Sequence, residues 1–597
     1  MKKLKKIINV FRNFNKTINL LWITNPIKFC AILSIGLISG FLVPLELSIW
    51  KYVVDEIAKV ISGDAYIYTV ILYLIYFFAA ELVIVLLNNI SSYLQNTYSV
   101  EFNINITNKI LDKLSKVELC KFDQADTYNI IQKSQEETLQ RSMSLLQTVV
   151  EAVKNIANLS GTIGILLLFD PVITFSTVLS AIPMFYISCA VMNKWYEIFN
   201  KRFEGNRFVK KLQEIVISNN NIKEIKLYSS FNFIKSRINS ILGDYLNEDK
   251  KIRKKFMLEN ISIKSIDEII LYVIKGMVIF LAVQRAMTIG MITMYLSSVD
   301  NTKSCISNLL TIIANAYENC LYLQNIFQLF ELEEEIDDGE CVKDGIEKIE
   351  FVDVSFRYPD ATEYALEHIS ITFEKNKTYA LVGINGSGKT TLIKLLLGLY
   401  KPQEGKILIN GKDMNLYNKK EIYRHCSAVF QDYIKYPFDI KTNIGLGCEK
   451  DINNIERIKK AAKMSGADEF IEKLPEKYNT QLRKEWSNSV EISIGQWQKI
   501  AIARGIMKDA SVMILDEPTA SLDAIAEYEI IKSFEKIKNN SLCILVTHRL
   551  NSIKLADLIV VMNLGKIVEL GSHTELYNQH GEYYNLYSKQ AEAYLQE

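Results

Sequence analysis

Gly383-Ile384-Asn385-Gly386-Ser387-Gly388-Lys389-Thr390-Thr391 fits the pattern G-x-x-x-x-G-K-[ST] without a mismatch. The apolar run Tyr379 to Val382 reads as a strand entering the loop, and Leu392 to Leu397 as a helix leaving it. That strand–loop–helix context separates a phosphate-binding loop from a chance cluster of glycines. The glycines allow successive backbone N–H groups to turn inward, and the helix N-terminus adds positive potential. Lys389 brings a point charge for the β- and γ-phosphates, and the Thr390 hydroxyl a hard oxygen for Mg²⁺. These residues imply a nucleoside triphosphate ligand.

Working outward, further short runs follow in a fixed order. Phe356-Arg357-Tyr358-Pro359 lies upstream; Val429-Phe430-Gln431-Asp432 and Ile492-Ser493-Ile494-Gly495-Gln496-Trp497-Gln498 lie downstream. Val512 to Thr519 then ends in Asp516-Glu517-Pro518-Thr519, with Ser521-Leu522-Asp523 and Leu545-Val546-Thr547-His548-Arg549 beyond. Each run alone is weak; in this order and spacing they resemble the ATPase domain of ABC transporters.

The resemblance implies a role for each matched position. Tyr358 would stack on adenine. Asp516 would hold Mg²⁺, joined by Thr390 and Gln431. Glu517 would be the general base, His548 would contact the γ-phosphate, and Gln431 would sense metal and phosphate while touching the membrane domain. Ser493, Gly495 and Gln496 belong to the signature, which would close over the nucleotide of a second subunit. ATP and Mg²⁺ are therefore the expected ligands. The usual signature reads Leu-Ser-Gly-Gly-Gln, and here Ile494 replaces its first glycine. Ser493 still stands where an N-cap would open a helix from Ile494 to Met507, and Gly495 still permits close approach of backbone to phosphate.

At 597 residues the chain is too long for one domain. Mean hydropathy is slightly positive, while residues after Ile346 have ordinary soluble α/β composition, so the apolar excess sits in the first half. A net charge of +1 argues against a nucleic-acid partner. Nine cysteines without a C-x-x-C pair suggest neither a zinc site nor a disulfide framework.

A membrane-spanning helix needs ~20 mostly apolar residues. Candidates are Ile27–Trp50, Tyr66–Leu87, Leu145–Phe169, Pro171–Met192, Glu268–Val283 and Met287–Tyr317. Residues Met1 to Leu21 are basic and amphipathic, and resemble the interfacial elbow helix of ABC exporters. Lys2, Lys3, Lys5, Lys6, Arg12 and Lys16 precede the first span, and the stretch Lys194 to Lys255 is densely basic. The opposite loops carry only Lys51, Lys59 and Arg285, which predicts a cytoplasmic N-terminus and a cytoplasmic ATPase domain. The expected organisation is an elbow helix (1–26), an α-helical six-span membrane domain (27–335) and an α/β P-loop ABC ATPase domain (346–597).

The stretches Asn88–Ser144 and Asn193–Asn260 keep a helical period and are expected to continue the spans beyond the bilayer. In the family, short coupling helices lie at their tips; the matching segments are expected near Phe122–Tyr128 and Tyr228–Phe233. A charge inside a span costs roughly 2.5–3.5 kcal/mol on insertion scales. Glu81 and Lys275 therefore either line a polar pathway or pair with each other or with polar neighbours across helices.

Glu118 to Ile131, Lys223-Glu224-Ile225-Lys226-Leu227 and Gly495-Gln496-Trp497-Gln498-Lys499 resemble lantibiotic and related peptide exporters. The residues ahead of Ile27 are too few for the cysteine peptidase that some such exporters carry, so cleavage of cargo is not expected. The bias to Lys, Ile and Asn is compatible with a low-GC bacterium, and the location implied is the bacterial cytoplasmic membrane. The resemblance implies a homodimer that exports a peptide or another amphipathic cargo. A multidrug or lipid exporter, or one half of a heterodimer, stays open.

Overall fold

The computed structural model describes residues 2–595 apart from 181, 219–220, 336–338, 344, 360, 485–487, 518–539, 548–552 and 555. The chain divides into two compact units, Met1–Ser115 with Asn129–Leu332, and Lys116–Tyr128 with Glu333–Glu597.

The first unit is helical. It opens with α1 (Lys2–Thr24), α2 (Pro26–Ser62) and α3 (Ile67–Leu114). Asn25 starts α2: its Oδ1 accepts from Lys28 N at 3.1 Å, and Pro26 fills a position where no intrahelical donor is needed. Gly63, left-handed at φ 87°, ends that helix. α3 runs for 48 residues. At 1.5 Å per residue that is about 70 Å, more than twice the ~30 Å hydrocarbon core. α3 is thus long enough to extend past a bilayer, the arrangement expected for Asn88–Ser144. No residue in the most apolar stretch of α3 is fully buried within the chain, and Leu72, Phe78 and Leu86 are exposed. Lipid is the solvent that suits such a face.

A four-residue helix, α4 (Leu119–Phe122), precedes α5 (Ala125–Phe169), α6 (Pro171–Ser180), α7 (Ile182–Ile217), α8 (Ile222–Leu227), α9 (Phe231–Gln284) and α10 (Ile289–Phe330). Among the described residues, Pro26–Ser62, Ile67–Leu114 and Gln140–Phe169 are long and apolar enough to cross a membrane on composition alone. The expected span Pro171–Met192 falls on α6 and the start of α7, and the last two on α9 and α10. Those last two carry charge, and they neutralise it between themselves. Lys275 Nζ meets Asp300 Oδ1 at 2.7 Å, and Lys303 Nζ meets Asp267 Oδ2 at 3.1 Å. Lys275 is thus held by a neighbour on the next helix rather than by Glu81, which reduces the cost of placing it in a span.

The short helices at these places begin earlier than the expected segments Phe122–Tyr128 and Tyr228–Phe233. The short helices are Leu119–Phe122 and Ile222–Leu227, and α5 and α9 have already begun by Ala125 and Phe231. The cause of the second shift is a tight turn at Tyr228 to Ser230, in which Ser229 takes the left-handed φ of 51°. At the first, Gln124 N closes a turn onto Lys121 O at 3.2 Å, ending α4.

The second unit holds ten described strands: β1 (Lys348–Phe356), β2 (Leu366–Glu374), β3 (Thr378–Val382), β4 (Glu404–Ile409), β5 (Lys412–Asp413), β6 (Cys426–Val429), β7 (Val512–Asp516), β8 (Leu542–Val546), β9 (Leu558–Asn563) and β10 (Lys566–Gly571). An antiparallel sheet runs β2-β1-β4-β5 and a mainly parallel one β10-β9-β3-β8-β7-β6. The inner strands of the parallel sheet are covered on both faces, so Tyr379-Ala380-Leu381-Val382 and Val512-Met513-Ile514-Leu515 read as unbroken apolar runs. β3, β8, β7 and β6 are parallel neighbours, with Leu381 opposite Val546, Asp516 opposite Val546 and Val429 opposite Leu515. Their carboxyl ends therefore share one edge, where open α/β sheets bind ligands. Gly383, Gln431, Asp516 and Glu517 all follow from that edge.

Candidate functional site: the P-loop cleft

β3 ends at Val382, the loop curls, and the helix Lys389–Leu396 leaves it with Gly388 at its N-cap. Gly388 has φ 102°, and a Cβ there would stand 2.9 Å from Ala365 O and 2.7 Å from Leu366 Cδ2. Only glycine fits this corner without displacement. A cleft of about 620 Å³ opens over the loop. Asn385 to Thr391 form its floor, with Tyr358, Gln431, Asp516 and Glu517 around them.

Lys389 lies folded back along the loop. Its ammonium donates to Gly383 O at 2.8 Å and Ile384 O at 2.9 Å, close to Ser387 Oγ at 3.5 Å. Burial pushes its pKa below the ordinary lysine value, against the opposing pull of Glu517 and Asp516. A polyphosphate would restore the solvation that burial has removed from this cation.

Thr390 Oγ1 donates to Asp516 Oδ2 at 3.3 Å. Burial, with the charge of Glu517 adding to it, raises the Asp516 carboxyl above the usual carboxylate range. A hydroxyl and a desolvated carboxylate placed together are hard oxygen donors of the kind Mg²⁺ takes, and it keeps several of its own waters or phosphate oxygens. The donor set thus fits a magnesium ion carried in with the nucleotide.

Glu517 is placed by the sheet edge and by its own backbone. Its N donates to Val546 O at 3.0 Å, and its φ is 51°, unusual for a residue with a side chain. Gln498 Nε2 reaches Glu517 O at 3.4 Å, and Gln431 Nε2 donates to Glu517 Oε2 at 2.9 Å. The left-handed conformation turns the carboxylate out of the strand into the cleft, a strain the neighbouring bonds sustain. Sequence reasoning singled out Glu517 and Gln431 but found no reason to pair them, and it placed Gln498 in the signature run without assigning it a contact.

Tyr358 stands at the cleft with its Oη 3.2 Å from Thr391 Oγ1. Its ring meets Phe356 edge-on at 5.1 Å, and the ammonium of Lys394 lies 5.4 Å from the ring centre. Lys394 escaped the sequence reading because it lies beyond the motif, one helical turn past Thr390.

Ser493, Gly495 and Gln496 do not line this cleft. Ser493 caps the helix Ile494–Met507 as expected: its Oγ accepts from Gln496 N at 3.2 Å, and Gln496 Oε1 accepts from Ser493 N at 2.9 Å. This reciprocal capping box uses the Gln496 side chain for the helix itself. Ile494 is 61% exposed. His548 and the segment Ser521 to Asp523 lie outside the described residues.

The loop, the paired hydroxyl and carboxylate and the adjacent Glu517 define a P-loop ATPase joined to a helical membrane unit. The ABC transporter family matches residues 366–520, and the ABC transporter transmembrane region matches residues 9–300. The chain belongs to the ABC transporters, as an exporter with fused membrane and ATPase domains. The subtilin transport ATP-binding protein of Bacillus subtilis is 29% identical over 96% of this chain and 93% of its own. The nisin transport ATP-binding protein of Lactococcus lactis is 28% identical over 89% of each. An ATP-dependent lipid A-core flippase of Idiomarina loihiensis is 29% identical over 84% of this chain and 86% of its own. Among solved structures, a bacterial Atm1-family ABC exporter with ATP bound superposes with a TM-score of 0.80 at 20% identity, covering 95% of this chain and 98% of that one.

Proposed function

We propose that this ABC exporter, working as a homodimer, moves a peptide or a peptide-derived product out of the cytoplasm. The observation that carries the cargo reading is the extent of the likeness to the subtilin and nisin transport proteins. It runs along 96% and 89% of the chain, against 84% for the flippase. The likeness of Glu118 to Ile131 to the coupling region of peptide exporters supports it. The N-terminus and the ATPase domain are assigned to the cytoplasm, from the lysine and arginine distribution.

The dimer follows from chemistry that one chain leaves incomplete. The Ser493 helix N-terminus does not line its own P-loop cleft, and the family resemblance implies that a second copy brings it over the nucleotide. On α8 and the start of α9, Leu227, Tyr228 and Phe233 are 70–78% exposed, an apolar tip that suits burial against a partner.

In the working cycle Tyr358 stacks on the base. Lys389 leaves the Gly383 and Ile384 carbonyls for the phosphates. Thr390, Asp516 and Gln431 would hold Mg²⁺, which neutralises charge on the phosphate oxygens when bound. Glu517 accepts a proton from the attacking water while Gln431 keeps its carboxylate oriented. Closure of the paired ATPase domains over ATP turns the membrane cavity outward, and hydrolysis releases it.

The test is vesicle transport. Vesicles holding the protein with its ATPase domain outward should accumulate the peptide encoded beside its gene when given Mg-ATP, and fail to do so with ADP. Movement of labelled lipid or small amphipathic drugs without that peptide rejects the peptide reading and favours a flippase.

Ile494 gives a second, smaller prediction. Restoring glycine should leave ATP affinity within about twofold and raise turnover modestly, because a branched side chain is removed only from the closing surface. ATP titration and phosphate release measure both. A large fall in turnover means that Ile494 packs productively against the second copy.

A further inference from the structure

The nucleotide cleft and the helix α4 belong to the same compact unit, and one residue that the catalytic site does not use stands between them. Tyr400 follows the P-loop helix Lys389–Leu396, after Gly398 reverses the chain at φ 70°. It is 5% exposed. Its ring meets Tyr358 edge-on at 5.5 Å and Phe356 at 5.4 Å, closing a three-ring cluster around the adenine-side tyrosine. The Lys394 ammonium lies 5.4 Å from the Tyr358 ring centre and 5.5 Å from that of Tyr400, bracing both at once.

The other end of Tyr400 is polar. Its Oη donates to Asp123 Oδ2, in the turn that ends α4. The next residue holds the opposite end of the same helix: Lys401 Nζ meets Glu118 Oε1 at 2.9 Å. Leu119 and Cys120, between those two carboxylates, pack on the apolar core that contains Tyr400. Burial and the Asp123 carboxylate both push the Tyr400 phenol pKa upward, so it remains a donor throughout the physiological range.

We propose that Tyr400 is a positioning residue that reports the nucleobase, rather than the γ-phosphate, to the α4 segment. A base settling on Tyr358 shifts one ring of a close-packed set, and such sets move as a unit because no slack separates them. The displacement reaches Asp123 through a directional charge-assisted hydrogen bond, and α4 moves with Tyr400 and Lys401. The chain enters α4 directly from α3 and leaves it directly into α5, so the message continues along covalently joined helices. The inference rests on the adenine contact assigned to Tyr358.

The test uses full-length protein in lipid nanodiscs with Glu517→Gln present throughout, so that ATP persists. Cys120 is the probe, its N-ethylmaleimide labelling rate followed by peptide mass spectrometry. Saturating Mg-ATP should change that rate at least about threefold, whereas tripolyphosphate, which has no base, should not when present at a level that displaces fluorescent ATP. Tyr400→Phe, which keeps the ring and removes the donor, should abolish the ATP response with ATP affinity within about twofold. Asp123→Asn keeps an acceptor and should retain the response; Asp123→Ala should lose it, and serves should the tyrosine variant fail to fold. An ATP response that survives in Tyr400→Phe or Asp123→Ala overturns the proposal, as does an equal response to tripolyphosphate. If Tyr358→Ala leaves ATP affinity unchanged, the adenine assignment fails instead.

Discussion

Glu517→Gln should reduce steady-state ATP hydrolysis by ~100-fold or more, the usual range for removing a general base, while ATP still binds. The amide has the size of the carboxylate but takes no proton from water. None of the bonds that shape the pocket needs the charge. The Glu517 N bond to Val546 O and the Gln498 bond to Glu517 O are made by the main chain, and they maintain the left-handed backbone. Gln431 Nε2 can still donate to an amide oxygen. Lys389, Thr390 and Asp516 are untouched, although losing the neighbouring negative charge removes one cause of the raised Asp516 pKa. Metal and nucleotide affinity should therefore hold or improve, and the variant should collect as a closed, ATP-loaded dimer. Phosphate release gives the first number and retention of labelled ATP through gel filtration the second. Release near the wild-type rate would remove Glu517 from the role of base.

The parts of this site that could be read in advance are those dictated by local chain chemistry. A strand, a glycine-rich curl and a helix must follow one another along the chain, so the loop at Gly383 to Thr391 was visible from its residues. The Ser493 cap was visible for the same reason, since the donor and acceptor are three residues apart. Asp516 and Glu517 were legible as the end of a buried strand. Their meeting with Gln431 was available only through the family resemblance, because it depends on β6, β7 and β8 lying parallel and in register, a non-local fact. The left-handed φ of Glu517 is likewise invisible in its residue type. In the membrane unit, Lys275 was recognisable as needing a partner, but hydropathy alone could not choose among Glu81, another polar neighbour and a polar pathway. The choice is made by how α9 packs beside α10. The short helix Ile222–Leu227 lies a few residues ahead of the expected segment, because serine at 229 and 230 gives no strong turn signal, although the chain turns there.

Gly388→Ala should lower ATP affinity by at least ~10-fold, and by more than Gly386→Ala does. Both glycines are left-handed, at φ 102° and 81°, so both substitutions strain the backbone. That strain costs on the order of 1–3 kcal/mol where a side-chain residue is forced into such a conformation. The difference lies in the surroundings. A Cβ at 386 would meet nothing within 4 Å, whereas at 388 it would press on the main-chain oxygen of Ala365 at 2.9 Å. Backbone cannot rotate out of the way as a side chain can, so the loop must shift. Lys389 and Thr390 follow immediately, and a displaced loop carries the ammonium and the hydroxyl away from the phosphates together. Gly164→Ala is the control, since a Cβ there also meets nothing within 4 Å, on α5 of the other unit. Binding of a fluorescent ATP analogue by the three purified variants should rank them 164, 386, 388 in rising Kd. Equal affinity for the 386 and 388 variants would mean that backbone strain alone governs the loop and that the contact with Ala365 is without consequence.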